Sequence, residues 1–243
     1  MMAATDPMPS PMDAARRLIV ALDFAAPDDA QRFAARLEAL PVIYKIGLEL
    51  IYAGGLTLAR DLAAKGRSLF LDAKLLDIPN TVERAAASAS QFGVSFLTVH
   101  GQDRKTLDAA VRGRGDSGMK LLAITVLTST DTADLREQGI STSTEALVLR
   151  RAQLAADAGF DGVVASPREA AAIRQALGAK LLIVTPGIRP SGAAAGDQAR
   201  IATPAEAIRA GADYLVVGRP ITAATDPLAA ATAIAEEIGG AAS

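Results

Sequence analysis

Eight short runs rich in Val, Ile and Leu recur along this chain, and an Ala-rich helical stretch follows each of them. The runs are LIVAL (18–22), VIYKIG (42–47), SLFLDA (68–73), SFLTVH (95–100), LLAITVL (121–127), DGVVAS (161–166), LLIVTP (181–186) and DYLVVG (213–218). Their continuous apolar character suits parallel strands covered on both faces. The helical stretches fall at 28–39, 55–65, 79–91, 103–112, 144–158, 167–177, 203–210 and 226–238. Pro27-Asp28, Pro79, Pro167 and Thr203-Pro204 are helix start signals. Gly66, Gly93, Gly159 and Gly211 stand where a helix needs a left-handed cap.

Strand–helix alternation argues for a parallel sheet. Eight units favour an α/β fold closed into an eight-stranded parallel (β/α)8 TIM barrel, with a doubly wound open sheet as the competing architecture. The chain has 243 residues, half of them hydrophobic, and such a barrel needs about 250. No linker or composition shift divides it, so residues 18–240 read as a single domain. The first 17 residues, MMAATDPMPSPMDAARR, read as a poorly ordered arm without the apolar centre of a signal peptide. Pro190–Arg200 is the next least regular stretch; in a barrel it forms a loop after the seventh strand, on the catalytic face.

Composition removes several kinds of chemistry. Cysteine is absent, so there are no disulfides, zinc–thiolate sites or cysteine nucleophiles; this fits a reducing compartment. A single histidine, His100, argues against a Ser-His-Asp triad and a multi-histidine metal site. A net charge of −2, no long basic run and no tryptophan give no footprint for nucleic acid. No apolar run reaches the roughly 18 residues of a membrane span.

In a (β/α)8 barrel the site lies at the C-terminal ends of the strands, and the unusual polar residues collect there. Asp23 closes the first strand, Lys45 lies in the second, and Asp72 and Lys74 close the third with Asp77 just beyond. Thr128 and Ser129 follow the fifth, Arg189 the seventh, and Gly218-Arg219 the eighth. Asp72 and Lys74, two apart in an extended strand, point to one side, toward the barrel interior. Lys74, between Asp72 and Asp77, keeps its charge and suits a positioned proton donor; the same spacing also suits a structural ion-pair network. An inward Lys45 needs a charged partner, with Asp23 and Asp72 as candidates, unless it snorkels at the barrel edge. Asp23, Lys45, Asp72, Lys74 and Asp77 are thus expected in one cavity. In VVGRPIT (216–222) a strand meets a helix start, where backbone N–H groups bind phosphate; Arg219 adds a bidentate contact and Arg189 can close over the same group.

Taken together, ALD (21–23), YKIGLEL (44–50), LDAKLLDIPNT (71–81), VLTS (126–129), DGVVAS (161–166), VTPGIRP (184–190), GDQ (196–198) and VVGRPIT (216–222) resemble the orotidine 5'-phosphate decarboxylase family over nearly all of 18–230. PGIRP followed by GDQ points to its bacterial type. The resemblance implies decarboxylation to UMP, the last step of de novo pyrimidine nucleotide synthesis, without cofactor or metal. It implies Lys74 as proton donor to C6, Asp72 beside the substrate carboxylate, and Asp77 donated across a homodimer interface with Thr81 near it. Lys45 and Asp23 contact the ribose hydroxyls, Lys45 also belonging to the catalytic set. Thr128 reads the pyrimidine. Arg189, Gln198, Gly218 and Arg219 hold the phosphate and its loop, and Ile78 and Pro186 complete the substrate contacts. His100 reads as structural. The implied location is the cytoplasm; the implied partners are a small-molecule substrate and a second copy of the chain, not nucleic acid or membrane. D-x-K-x-x-D alone is shared with metal-dependent sugar-phosphate decarboxylases and aldolases of the same barrel group. A nucleotide-binding barrel without catalysis is the remaining alternative.

Overall fold

Parallel strands that are apolar on both faces need cover on both, and a closed barrel wrapped by helices provides it. The computed structural model describes residues 10–190 and 202–241. Its strands are β1 (Leu18–Ala21), β2 (Ile43–Ile46), β3 (Leu69–Leu75), β4 (Phe96–His100), β5 (Lys120–Ile124), β6 (Gly162–Val164), β7 (Leu182–Thr185) and β8 (Tyr214–Val217). Each pairs in parallel with the next, and β1 pairs with β8, closing the barrel in chain order. The helices are α1 (Pro11–Ala15), α2 (Pro27–Arg36), α3 (Leu48–Tyr52), α4 (Gly55–Ala64), α5 (Pro79–Ser90), α6 (Arg104–Arg114), α7 (Thr132–Glu137), α8 (Thr144–Ala158), α9 (Pro167–Leu177), α10 (Pro204–Arg209), α11 (Arg219–Thr222) and α12 (Pro227–Ala241).

Strand alternation sorts the side chains into two cores. Ile19, Ala21, Ile43, Phe70, Phe96, Leu122, Val184 and Val216 fill the barrel. The Phe96 ring meets those of Phe70 and Tyr214 edge-on, at centroid distances of 6.0 and 5.3 Å. The residues between them on each strand, such as Val20, Tyr44, Leu71, Leu97 and Val217, join the larger core beneath the helices. Where α5 meets α6 the backbones approach closely: a Cβ on Gly113 would lie 2.1 Å from the Glu83 carbonyl oxygen, so glycine is required.

The arm expected over residues 1–17 departs from expectation from Ser10 onward. The Ser10 hydroxyl caps α1 by accepting from the Asp13 amide, and Ala14 and Ala15 are buried as α1 packs on α12. Arg17 donates to the carbonyls of Asp213 (2.9 Å) and Ala212 (3.0 Å), fastening the segment beside β8. Most strands end a residue or two inside the expected runs; β4 ends with its run at His100, β5 ends three residues early at Ile124, and β3 continues through Leu75. The short helices α1, α3 and α7 were outside the sequence reading; at five or six residues they are too short to show a helical period, whereas the four-residue α11 is the helix start expected in VVGRPIT. Nearly all of the loop expected over Pro190–Arg200, Gln198 included, lies outside the described residues. Among the described residues no helix is long and apolar enough to cross a membrane.

Candidate active site

The alternation that fills the barrel also builds the site, because the next inward position along several strands is polar. Lys45 follows Ile43 by two, Asp72 follows Phe70 by two, Asp23 follows Ala21 by two, and Gly218 follows Val216 by two. These residues, with Lys74, Thr128, Pro186, Arg189 and Arg219, line a cavity of about 300 Å³ at the C-terminal mouth. Ile124, Val126, Leu127 and Val164 form its apolar wall.

One side of the mouth carries a continuous charge array. Lys45 Nζ lies 3.1 Å from Asp23 Oδ1 and 3.5 Å from Asp72 Oδ2. Lys74 Nζ lies 2.6 Å from the same Asp72 oxygen. Lys45 is only 8% exposed, so its charge depends on these carboxylates rather than on water, and the snorkelling alternative is set aside. Gly47 leaves room for the pair: a Cβ there would sit 2.9 Å from Lys45 Nζ. At Asp72, burial pushes the carboxyl upward, but the charges of Lys45 and Lys74 and the hydrogen bonds from Lys74 and Thr98 more than offset it and hold the group below its usual range.

Lys74 reaches the mouth by a route that simple alternation does not describe. Strand pairing between β3 and β4 runs Phe70↔Phe96 and Leu71↔Leu97, then slips to Leu75↔Val99. Lys74, inside this bulge, has φ 50°, the one positive value at a non-glycine among the described residues. A residue with a Cβ takes that conformation at a cost of about 1–2 kcal/mol, and such strain persists where surrounding contacts enforce it. Here the Lys74 amide donates to Thr98 Oγ1 at 2.9 Å, and the same hydroxyl donates to Asp72 Oδ1 at 2.9 Å. Sequence reasoning passed over Thr98, although it stands two residues past the inward Phe96 in SFLTVH and so shares its side of the strand.

At the ends of β7 and β8, the latter beside β1 in the closed barrel, the mouth is cationic. Arg189 is 9% exposed and donates to the Ile188 carbonyl at 2.8 Å. Burial, with the neighbouring Arg219 charge adding to it, lowers its guanidinium from the ordinary value. The segment is held by a bridge between Ile188 and Ala202, in which the Arg189 amide donates to the Ala202 carbonyl at 2.9 Å. Two guanidiniums lining one cavity, Arg189 and Arg219, form a site for an anion.

His100 closes β4, half-buried; burial pushes its imidazole down, the Lys74 and Arg151 charges push the same way, and Asp72 opposes them. Asp77, Ile78 and Thr81 stand apart from the rest. All three are exposed, none lines the cavity of its own barrel, and Asp77 Oδ1 accepts from the Ile78 amide at 2.6 Å. The expected row of five charges in one cavity is therefore four within this chain, because the backbone turns outward between β3 and α5. Among the described residues no group of three His, Cys, Asp or Glu side chains is placed to hold a metal ion.

The fold and the sequence have close counterparts. The profile of the orotidine 5'-phosphate decarboxylase / HUMPS family matches residues 16–234. The orotidine 5'-phosphate decarboxylase of Rhodopseudomonas palustris (strain BisA53) is 54% identical over 234 residues, covering 96% of this chain and 99% of the relative. That of Methylobacterium sp. (strain 4-46) is 55% identical over 234 residues, covering 95% and 99%. The crystal structure of orotidine 5'-phosphate decarboxylase from Lactobacillus acidophilus superposes with a TM-score of 0.82 at 37% identity, covering 91% of this chain and 98% of that one. A profile match across the whole barrel, with relatives more than half identical along their full length, places the chain in the orotidine 5'-phosphate decarboxylase / HUMPS family.

Proposed function

We propose that this chain decarboxylates orotidine 5'-phosphate to UMP, completing de novo pyrimidine nucleotide synthesis as a cytoplasmic, cofactor-free lyase. The observation that carries the reading is the contact array Asp23–Lys45–Asp72–Lys74 lining one cavity with Arg189 and Arg219. In the reaction the bond between C6 and the carboxylate carbon breaks, its electron pair stays on C6, and CO2 leaves. The carbanion has no ring position that delocalises it well, so the protein must supply a fixed positive field. Lys74, held by Asp72, supplies that field without solvent reorganisation and then donates a proton from Nζ to C6; water reprotonates the amine. Asp23 and Lys45 meet the ribose hydroxyls, and Thr128 and Pro186 the pyrimidine. Arg189 and Arg219, with Gly218 and Gln198, take the phosphate, whose remote binding energy orients the reacting carbon.

Asp77, Ile78 and Thr81 belong to the site of a second subunit in this reading. They project outside their own mouth, and Leu76 and Ile78, which flank Asp77, are exposed apolar side chains suited to a dimer contact.

Purified protein mixed with orotidine 5'-phosphate is expected to consume it, followed as loss of orotate absorbance, at the same rate with and without EDTA. Absence of turnover by folded protein overturns the reading. Activity abolished by the chelator would instead assign the chain to a metal-dependent sugar-phosphate decarboxylase or aldolase, and UMP binding without turnover would make it a nucleotide-binding barrel.

Arg219→Ala is expected to act on affinity. A charge-assisted contact of about 1.5–3 kcal/mol corresponds to a roughly 10- to 100-fold rise in KM, partly restored by added guanidinium salt. An unchanged KM would place the phosphate elsewhere.

A further inference from the structure

We propose that Thr98 is a positioning residue for proton transfer, its hydroxyl setting the Asp72–Lys74 pair by tying the carboxylate of one to the main chain of the other; the inference rests on the decarboxylase reading above.

The Thr98 hydroxyl works in both directions. It accepts from the Lys74 amide and donates to Asp72 Oδ1, each at 2.9 Å, and the residue is 0% exposed, so water does not compete for either bond. Both ends of this bridge matter. From Leu71 to Leu75 the third strand advances four residues while its partner advances two, from Leu97 to Val99. Thr98 stands opposite that bulge, and its hydroxyl receives the Lys74 N–H there. An amide left unpaired in this position would weigh against the backbone that aims Lys74. At the other end, the two Asp72 oxygens are divided: Oδ2 faces Lys74 Nζ at 2.6 Å and Lys45 Nζ at 3.5 Å, while Oδ1 faces Thr98. Holding Oδ1 keeps the carboxylate from turning about its own axis, and so fixes where Oδ2 holds the ammonium. The Lys74 backbone and the Lys74 side chain are thereby referenced to one atom on β4. A side chain at this position must combine a donor with an acceptor in the volume of a β-branched residue. Valine has the shape without the hydroxyl, and serine has the hydroxyl without the methyl.

That contrast is the experiment. Steady-state kinetics with orotidine 5'-phosphate and UMP affinity are measured for wild type, Thr98→Val and Thr98→Ser. Misplacing a reacting group by about 1 Å can cost on the order of 100-fold, so Thr98→Val is expected to lower kcat about 10- to 100-fold. UMP has no carboxylate at C6, so its affinity is expected to stay within about threefold of wild type, and Thr98→Ser is expected to keep kcat within about threefold, if positioning by the hydroxyl is what Thr98 supplies. A merely structural role would move UMP binding and melting temperature together with kcat. Should Thr98→Val fail to fold, Thr98→Ala removes the same hydroxyl with less bulk and is expected to lose kcat by the same factor. A valine variant with wild-type kcat, or a serine variant as impaired as valine, overturns the proposal while leaving the decarboxylase reading intact. A wild-type protein without turnover overturns both.

Discussion

Lys74→Ala is expected to leave a folded protein with about a ten-thousandth of wild-type turnover or less. The estimate joins two losses. Removing one preorganised donor from a developing negative charge costs roughly 100- to 1,000-fold, and removing a positioned proton donor costs a further roughly 100-fold or more. The fold should survive, because the substitution strands no charge. Asp72 keeps Lys45 at 3.5 Å and Thr98 at 2.9 Å after Lys74 has gone. The Lys74 side chain is 30% exposed, so little packing is lost. Alanine also retains the Cβ, so the positive φ at this position costs the variant about what it costs the wild type. The measurements are turnover, melting temperature and UMP affinity. A variant that keeps its fold and more than about a tenth of its activity would show that Lys74 is not the donor, since neither loss would then have its usual size.

Mixing Lys74→Ala with Asp77→Ala, each expected to be nearly inactive alone, is expected to restore up to about a quarter of wild-type activity. Asp77 is exposed on the run between β3 and α5, turned away from the cavity that Asp72 and Lys74 line. In a two-fold dimer with shared sites, each site takes Lys74 from one subunit and Asp77 from the other. A mixed dimer then has one site with both wild-type residues and one with neither. Random exchange makes about half the dimers mixed, and each has one intact site of two, hence about a quarter. Exchange is followed independently with subunits carrying different tags. If mixed dimers form and no activity returns, Asp77 acts within its own subunit and the shared site is wrong. The result also separates catalysis from folding, because a misfolded variant cannot lend its partner a residue.

Much of the architecture was legible in the chain before any coordinates. Eight apolar runs separated by Ala-rich stretches specify eight parallel strands, and strands buried on both faces close most simply into a barrel. The period of two along a strand carried the reading further: with Ile43 and Phe70 facing inward, Lys45 and Asp72 must face inward as well, at the mouth. The helix start signals at Pro79 and Pro167 were legible for the same local reason, since proline fixes its own φ and lacks only an N–H that the first turn leaves unused.

Tertiary structure decided the rest, where local preference is silent or points the other way. Nothing local favours φ 50° at a lysine; the bulge between β3 and β4 and the Thr98 hydroxyl impose it, so regular alternation named the right pair, Asp72 and Lys74, by an incomplete route. Asp77 is three residues from Lys74 and reads as part of the same cluster, but the turn into α5 carries it out of the cavity. The five-residue α1 has no period to read, and it is ordered because Ala14 and Ala15 are buried at α12 and Arg17 is tied to the carbonyls before β8. A sequence records which residues a strand or helix presents to its neighbours; strain, burial of a guanidinium such as Arg189, and the ordering of a short arm depend on contacts between segments far apart in the chain, which exist only once the barrel has closed.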